Sequence, residues 1–352
     1  MGIREDSILF LLGAGASVDA GIKHAKQMTD DIEHKVQQDS EFIVFKDTYN
    51  YLKSSIIYQR GLTGNFNDQG ATIEDLLNVL SEINQKHNNK LYPFIGSWNV
   101  HLLKVAGDEF DNVSKLDKKI REQLFDWINI ENYDNSDYFK TFGDLANEVG
   151  STLRVFTLNY DLCVENALKN HSIAIELGFN GNRQWEASRF DSNPNTDTLI
   201  YLYKLHGSID WTKDGNNGRL KKCDAAQKNS ELIFGTTAKL SSIDPYLFYV
   251  HEFRKYSLQE PLRLIVSIGY SFSDDYINQL INQSMVRNNF AKILTVSPNQ
   301  NTSEECKRIA SLLKVDEDKV IHENCTAKNF FENNMNLSYF DKACGQGDDA
   351  PF

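Results

Sequence analysis

The sequence predicts an α/β fold: a doubly wound parallel sheet interrupted by a helical insertion. Three observations carry that expectation. Continuous apolar runs recur, as they do in strands buried on both faces. Each run is followed by a polar turn and then by apolar residues at helical spacing, the rhythm of parallel strand–helix units. Between the first such unit and the rest lies a stretch in which strand-like runs are nearly absent.

In chain order, "SILFLL" (7–12) is the first strand. It breaks at "GAGAS" (13–17), and a polar-rich helical pattern runs from there toward Gln37, reading as strand, glycine turn, helix. From about residue 39 to 149 only helical patterns appear. They are "TIEDLLNVLSEI" (72–83) with Thr72 as the expected N-cap, "KLDKKIREQLFDWI" (115–128) and "YFKTFGDLANEV" (138–149). Strands return at 154–158, before a helix from about 161 to 169, at 199–205 before "HGSIDW", and at 232–234 before "GTTAKL". "LRLIVSIGYSFSDDYINQLINQSM" and "KILTVSPNQNTSEECKRIASLL" each give strand, polar turn and helix, and 319–322 reads as a last strand. The expected organisation is a sheet domain from 1–38 and 150–335, a helical insertion at 39–149, and a tail at 336–352 whose polar end reads as disordered.

A chain of 352 residues can bury a large core, and the 41% apolar and 24% charged fractions suit a globular protein. A net charge of −12 disfavours a broad nucleic-acid face, since phosphate contacts need clustered Lys and Arg. The cysteines at 163, 223, 306, 325 and 344 form no CxxC pair, so no zinc ribbon or redox dithiol is written, and no metal is expected. This sparse, odd set suits a reducing cytoplasm, and no signal peptide or membrane span is visible.

Five short motifs fall at the expected C-terminal ends of strands, where open α/β sheets bind ligands. In "GAGAS", Gly13 and Gly15 let the backbone approach a phosphate at a helix N-terminus, or simply make a tight turn. It is neither G-x-G-x-x-G, since position 18 is Val, nor a P-loop. In "TLNYD", Asn159 and Asp161 line a ligand or cap the next helix. In "KLHGSIDW", His206 is a base or a hydrogen-bonded core histidine. Ser271 and Ser273 of "SIGYSFSDDYI" contact a ligand or cap a helix, and Asn299 of "TVSPN" sits in a plausible loop.

The ordered set GAGAS (13–17), TLNYD (157–161), LHGS (205–208), GYSFSD (269–274) and SPN (297–299) resembles the sirtuin superfamily, and within it the bacterial sirtuin-like proteins of anti-phage defence. The resemblance covers roughly 1–38 and 150–335. It implies a Rossmann-like fold that takes NAD as substrate. Gly13, Ala14, Gly15, Ala16 and Ser17 would hold the diphosphate. Gly269 and Ser271 would reach a phosphate, and Asn299 would face the adenosine ribose. Asn159 and Asp161 would line the nicotinamide–ribose pocket, and His206 would be the catalytic base. The sequence departs from protein-deacylating sirtuins in two places. After His206-Gly207 it holds only Cys223 in place of paired CxxC motifs, and residues 22–26 read IKHAK in place of a Pro-x-Phe-Arg segment. The resemblance therefore implies NAD⁺ hydrolysis to nicotinamide and ADP-ribose, without a metal, restrained by homo-oligomerisation or by a partner such as a hexameric ATPase, a helicase-like protein or an Argonaute. Three alternatives stay open. They are a module that senses NAD or ADP-ribose without turnover, a protein deacylase or ADP-ribosyltransferase, and an interaction protein whose helical insertion, with its "YPFIGSW" segment, is the working part.

Overall fold

In the computed structural model, which describes residues 6–62, 70–88, 90, 99–191, 197–213, 219–228, 230, 244–299 and 301–345, the first apolar run forms β1 (Ile8–Leu12), every residue of it buried. A short 3-10 segment, Ala14–Ser17, follows, and then α1 (Ala25–Gln38), α2 (Lys46–Leu62), α3 (Ile73–Asn84), α4 (Val100–Ala106) and α5 (Asp111–Ile128). The chain returns through a 3-10 segment, Asp134–Lys140, and α6 (Thr141–Val149) to β2 (Leu153–Thr157), α7 (Cys163–Asn170), β3 (Ile175–Glu176) and β4 (Ile200–Lys204). The hairpin strands β5 (Trp211–Lys213) and β6 (Leu220–Lys222) precede α8 (Tyr246–Ser257). The remainder is β7 (Leu264–Ile268), α9 (Asp275–Arg287), β8 (Lys292–Val296), α10 (Thr302–Leu313), β9 (Val320–Glu323), α11 (Ala327–Asn334) and α12 (Leu337–Ala343).

Seven strands form one sheet in the order β3-β4-β2-β1-β7-β8-β9, each pair parallel, while β5 and β6 make a separate antiparallel ribbon. The expected α/β doubly wound class is what the chain adopts. Phe10 and Phe156 leave neighbouring strands on opposite faces, because their register partners differ by one residue. On one face Phe10 meets Phe142 of α6 and Phe340 of α12 at 5.2 and 5.9 Å between ring centroids. On the other, Phe156 stacks on Tyr203 at 4.3 Å and meets Phe253 of α8 edge-on at 5.1 Å. Burying each such ring contributes roughly 1.5–3 kcal/mol, which explains why both faces are covered.

The chain divides into two compact units, one of Met1–Ile22, Asn129–Ile233 and Lys239–Phe352, the other of Lys23–Ile128 with Phe234–Ala238. The sheet unit includes α6, whose Phe142 and Leu145 are fully buried, so the helical pattern at 138–149 covers the sheet. The helical unit includes α1, tied to α3 by the Ile73 N–H donating to Thr29 Oγ1 at 2.8 Å. Thr72 is the N-cap of α3 in a capping box: its hydroxyl accepts from Asp75 N at 3.2 Å and its own N–H donates to Asp75 Oδ2 at 2.7 Å.

Two local expectations meet a different structure. The helix expected to leave the glycine turn directly instead starts at Ala25. Gly21 at φ +100° reverses the chain, and a capping box between His24 and Gln27 sets a new N-terminus. Beyond residue 335 the stretch read as a tail carries α12, anchored by the fully buried Phe340. The expected strand at 232–234, the "YPFIGSW" segment and the polar end at 346–352 lie outside the described residues.

Candidate functional site

From β1 the chain goes outward on one side through β2, β4 and β3, and on the other through β7, β8 and β9. The winding direction therefore reverses beside β1. All the strands of this sheet run parallel, so their C-terminal loops share one edge, and the crevice beside a reversal is where open α/β sheets hold ligands.

The loop after β1 is built against the loop after β7. Gly13 N–H donates to Ile268 O and Gly15 N–H to Gly269 O, both at 2.9 Å. A Cβ on Gly13 would stand 2.5 Å from Tyr270 Cα, and one on Gly269 only 2.2 Å from Ala16 N. The glycines at 13, 15 and 269 are thus required by loop-to-loop approach, a reason the motif does not itself disclose. Three of the amides expected to face a diphosphate, those of Gly13, Gly15 and Ala16, are engaged within the protein. Ala14 is exposed, and Ala16 and Ser17 are buried.

Asn159 joins this pair of loops to β2. Its Nδ2 donates to Gly13 O at 2.9 Å and to Ser17 Oγ at 3.2 Å, and its backbone N–H donates to Thr157 Oγ1 at 3.0 Å. Asp161, two residues on, behaves differently. Its Oδ1 accepts from Cys163 N at 3.0 Å, closing the turn into α7, whose N-cap is Leu162 rather than Asp161. Burial, with Asp161 alongside, pushes the Cys163 thiol far up, so this cysteine is inert.

His206 follows β4, and its loop is stitched to the Asn159 loop: Leu205 N–H donates to Thr157 O at 2.9 Å and Ile209 N–H to Tyr160 O at 3.1 Å. Gly207 at φ +93° lets the chain turn there. The His206 side chain is 10% exposed, its Nε2 lies 3.4 Å from Asp274 Oδ2, and its ring is 6.1 Å from that of Tyr160. Loops after four strands, β1, β2, β4 and β7, therefore meet in one constellation.

Ser271 belongs to the β7 loop, exposed, with its Oγ 2.9 Å from Ser273 Oγ. Neither serine caps α9; Asp274 does, its Oδ1 accepting from Tyr276 N at 3.1 Å and Ile277 N at 3.4 Å. Asn299 stands in a separate network after β8. Its Nδ2 donates to Glu305 Oε2 at 2.9 Å, and its Oδ1 accepts from Asn301 N at 3.1 Å. Arg308 beside Glu305 holds that carboxyl below the usual carboxylate range. Two residues of the constellation are given no role by the motif reading. Asp274 carried a usable signal, an acidic residue directly before an amphipathic helix. Tyr138, whose hydroxyl donates to Ala16 O at 2.6 Å, carried none.

Charged pairs underlie the constellation. Lys204, 1% exposed, donates to the Asp161 carbonyl and pairs with Glu165 at 2.6 Å. Burial pushes the Glu165 carboxyl upward, against the pull of Lys204. Asp210 accepts from Ser208 Oγ and Lys222 Nζ, both at 2.6 Å, pinning the β5–β6 ribbon to the His206 loop. Lys204→Met is expected to lower stability by about 3–5 kcal/mol near pH 8, because it strands Glu165 in the interior. Glu165 has its folded pKa raised, so the variant's penalty is smallest below the unfolded carboxylate pKa and grows as pH rises through the folded one. Urea unfolding across that range checks this, and adding Glu165→Gln should recover part of the loss.

The strand order and these loops define an α/β protein whose topological switch point is flanked by the joined loops after β1 and β7. Residues 153–317 match the family model described as a SIR2-like domain, a span that holds Asn159, Asp161, His206, Ser271 and Asn299. A solved structure described as a Sir2 homologue mutant in complex with ADP-ribose is similar at 11% sequence identity and a TM-score of 0.44, covering 97% of this chain and 94% of that one. No curated protein matches the chain. Among the described residues, no group of three or more His, Cys, Asp or Glu is placed to hold a metal ion, and no helix is long and apolar enough to cross a membrane.

Proposed function

We propose that the chain hydrolyses NAD⁺ at the nicotinamide–ribose bond, releasing nicotinamide and ADP-ribose, and that it serves anti-phage defence by depleting NAD. The observation that carries the reading is the meeting of the His206 loop and the Asn159 loop with the glycine turn beside β1. A basic side chain and an amide thereby stand on adjoining loops at the switch-point edge of the sheet, the place where open α/β sheets bind ligands. The SIR2-like match over 153–317 supports the same reading.

Nicotinamide in NAD⁺ is cationic and leaves as a neutral base, so no general acid is needed. The site has to stabilise the positive charge that grows on the ribose and admit water to the opposite face, as in glycoside hydrolysis. Both protons of the Asn159 amide nitrogen are engaged by Gly13 O and Ser17 Oγ, which turns its Oδ1 into the acceptor available for a ribose hydroxyl or a water. His206 takes the proton as the new C–O bond forms. Asp161 acts through the turn it closes rather than on the substrate. Ala14 and Ser271, both exposed at the mouth, are the groups best placed to meet phosphate oxygens. The chemistry proposed for these side chains uses no metal.

Free NAD⁺ hydrolysis would harm the host cell, so restraint through homo-oligomerisation or a partner protein, such as a hexameric ATPase, a helicase-like protein or an Argonaute, belongs to the proposal. A second reading, a module that senses NAD or ADP-ribose, is favoured by one observation: the Gly13, Gly15 and Asn159 donors are already satisfied within the chain. Chromatography of NAD⁺ incubated with the purified chain separates the two readings. Hydrolysis predicts equimolar nicotinamide and ADP-ribose; saturable binding with no product would leave only the sensor.

A further inference from the structure

Asp274 takes no part in the chemistry above, yet its carboxylate is aimed by everything around it. Its backbone N–H donates to the Tyr270 hydroxyl at 3.3 Å, and that hydroxyl lies 3.1 Å from Asp274 O and 3.0 Å from Asn278 Oδ1. Asn278 Nδ2 donates to Phe272 O at 2.8 Å, holding a non-glycine residue at φ +62°, a conformation that persists only where the surroundings enforce it. One carboxylate oxygen caps α9. A serine would cap as well with a single oxygen, and a second carboxylate oxygen is costly to bury without a partner. That second oxygen, on a side chain 8% exposed, faces His206 Nε2 at 3.4 Å.

We propose that Asp274 is a positioning residue for His206: its Oδ2 accepts from Nε2–H, fixes the imidazole's tautomer and orientation, and leaves the lone pair of Nδ1 as the base. The inference rests on the NAD-cleavage reading for its chemical consequence, though not for its geometry. In the step it serves, an O–H bond of water breaks and its proton passes to Nδ1. The oxygen bonds the ribose carbon, and the carbon–nitrogen bond electrons leave with nicotinamide. Asp274 stabilises the imidazolium until it returns its proton to solvent. The 3.4 Å separation is that of a resting contact; such bonds commonly tighten only when substrate is bound.

The test uses the full chain with Asp274→Ser, which keeps the cap, and Asp274→Asn, which keeps the cap with its amide oxygen but turns an N–H₂ donor toward His206 Nε2. Expected for Asp274→Ser is a Tm close to that of the parent, a kcat lower by about 10- to 100-fold, and a KM within about twofold, with Asp274→Asn losing at least as much kcat because its amide donor favours the wrong tautomer. Adding His206→Ala to Asp274→Ser should cost less than it does in the parent, because the two act as a unit. Nitrogen-15 spectra of the histidine rings, with His206 assigned by its absence in His206→Ala, should show the Nε2–H tautomer in the parent and its loss in Asp274→Ser. Full kcat in Asp274→Ser, or an unchanged His206 tautomer, overturns the proposal. A chain inert toward NAD⁺ whose His206 tautomer still depends on Asp274 would instead overturn the NAD reading and leave the pairing intact.

Discussion

His206→Ala is expected to cut nicotinamide release by about 10²- to 10⁴-fold, the usual contribution of a positioned base, while leaving the fold in place. The two halves of that expectation come from different magnitudes. The contact of the imidazole with Asp274 is 3.4 Å long, beyond the common hydrogen-bond range, so that contact contributes on the order of 1 kcal/mol or less. Asp274 keeps a role without it, because its other oxygen still caps α9. Removal of the ring therefore falls mainly on kcat. Asn159→Ala differs in kind: it removes the donor that ties Gly13 O and Ser17 Oγ to the β2 loop as well as an acceptor, so rate and substrate affinity should both fall. Steady-state assays with circular dichroism of each variant check these outcomes. Full turnover in folded His206→Ala would remove the base from the mechanism.

The sheet was legible because its strands are buried on both faces. The runs that became β1, β2, β4 and β7 contain no exposed position, and so they read as mainly apolar stretches, interrupted by Arg154, Thr157, Lys204 and Ser267. Thr72 was legible as a cap because capping is local chemistry. The site was legible only as a list of candidates, because its discriminating contacts are long-range. Asn159 and Asp161 look alike in the sequence, two small polar residues at one strand end. What separates them is that Asn159 reaches Gly13, 146 positions away, while Asp161 reaches Cys163, two positions away. The same limit hid the pairing of His206 with Asp274, which follow different strands. Asn299, also at a strand end, turned its amide onto Glu305 of the next helix, a pairing that no local pattern distinguishes from ligand binding.

Gly269→Ala is expected to be the most damaging single methyl added to the sheet unit, and a control separates its causes. Gly269 has φ +65° and Gly150 has φ +69°, so an alanine at either meets the same left-handed penalty of roughly 1–2 kcal/mol. At Gly150, which ends α6, the new Cβ meets nothing within 4 Å. At Gly269 it meets Ala16 N at 2.2 Å and Gly15 C at 2.3 Å, both backbone atoms that no side-chain rotation can move away. Overpacking of that kind adds about 1–3 kcal/mol, so Gly269→Ala should lose roughly 2–5 kcal/mol where Gly150→Ala loses about 1–2. The relief open to the variant is separation of the β1 and β7 loops, which breaks the Gly15 N–H bond to Gly269 O. That movement shifts Asp274 relative to the glycine turn on which Asn159 is anchored. NAD⁺ cleavage should then fall even at temperatures where the variant stays folded, whereas Gly150→Ala should keep the parent's rate. Equal urea midpoints for the two variants, or full activity in Gly269→Ala, would show that the two loops do not need their close approach. The convergence of strand ends on which the proposed site depends would then lose its physical basis.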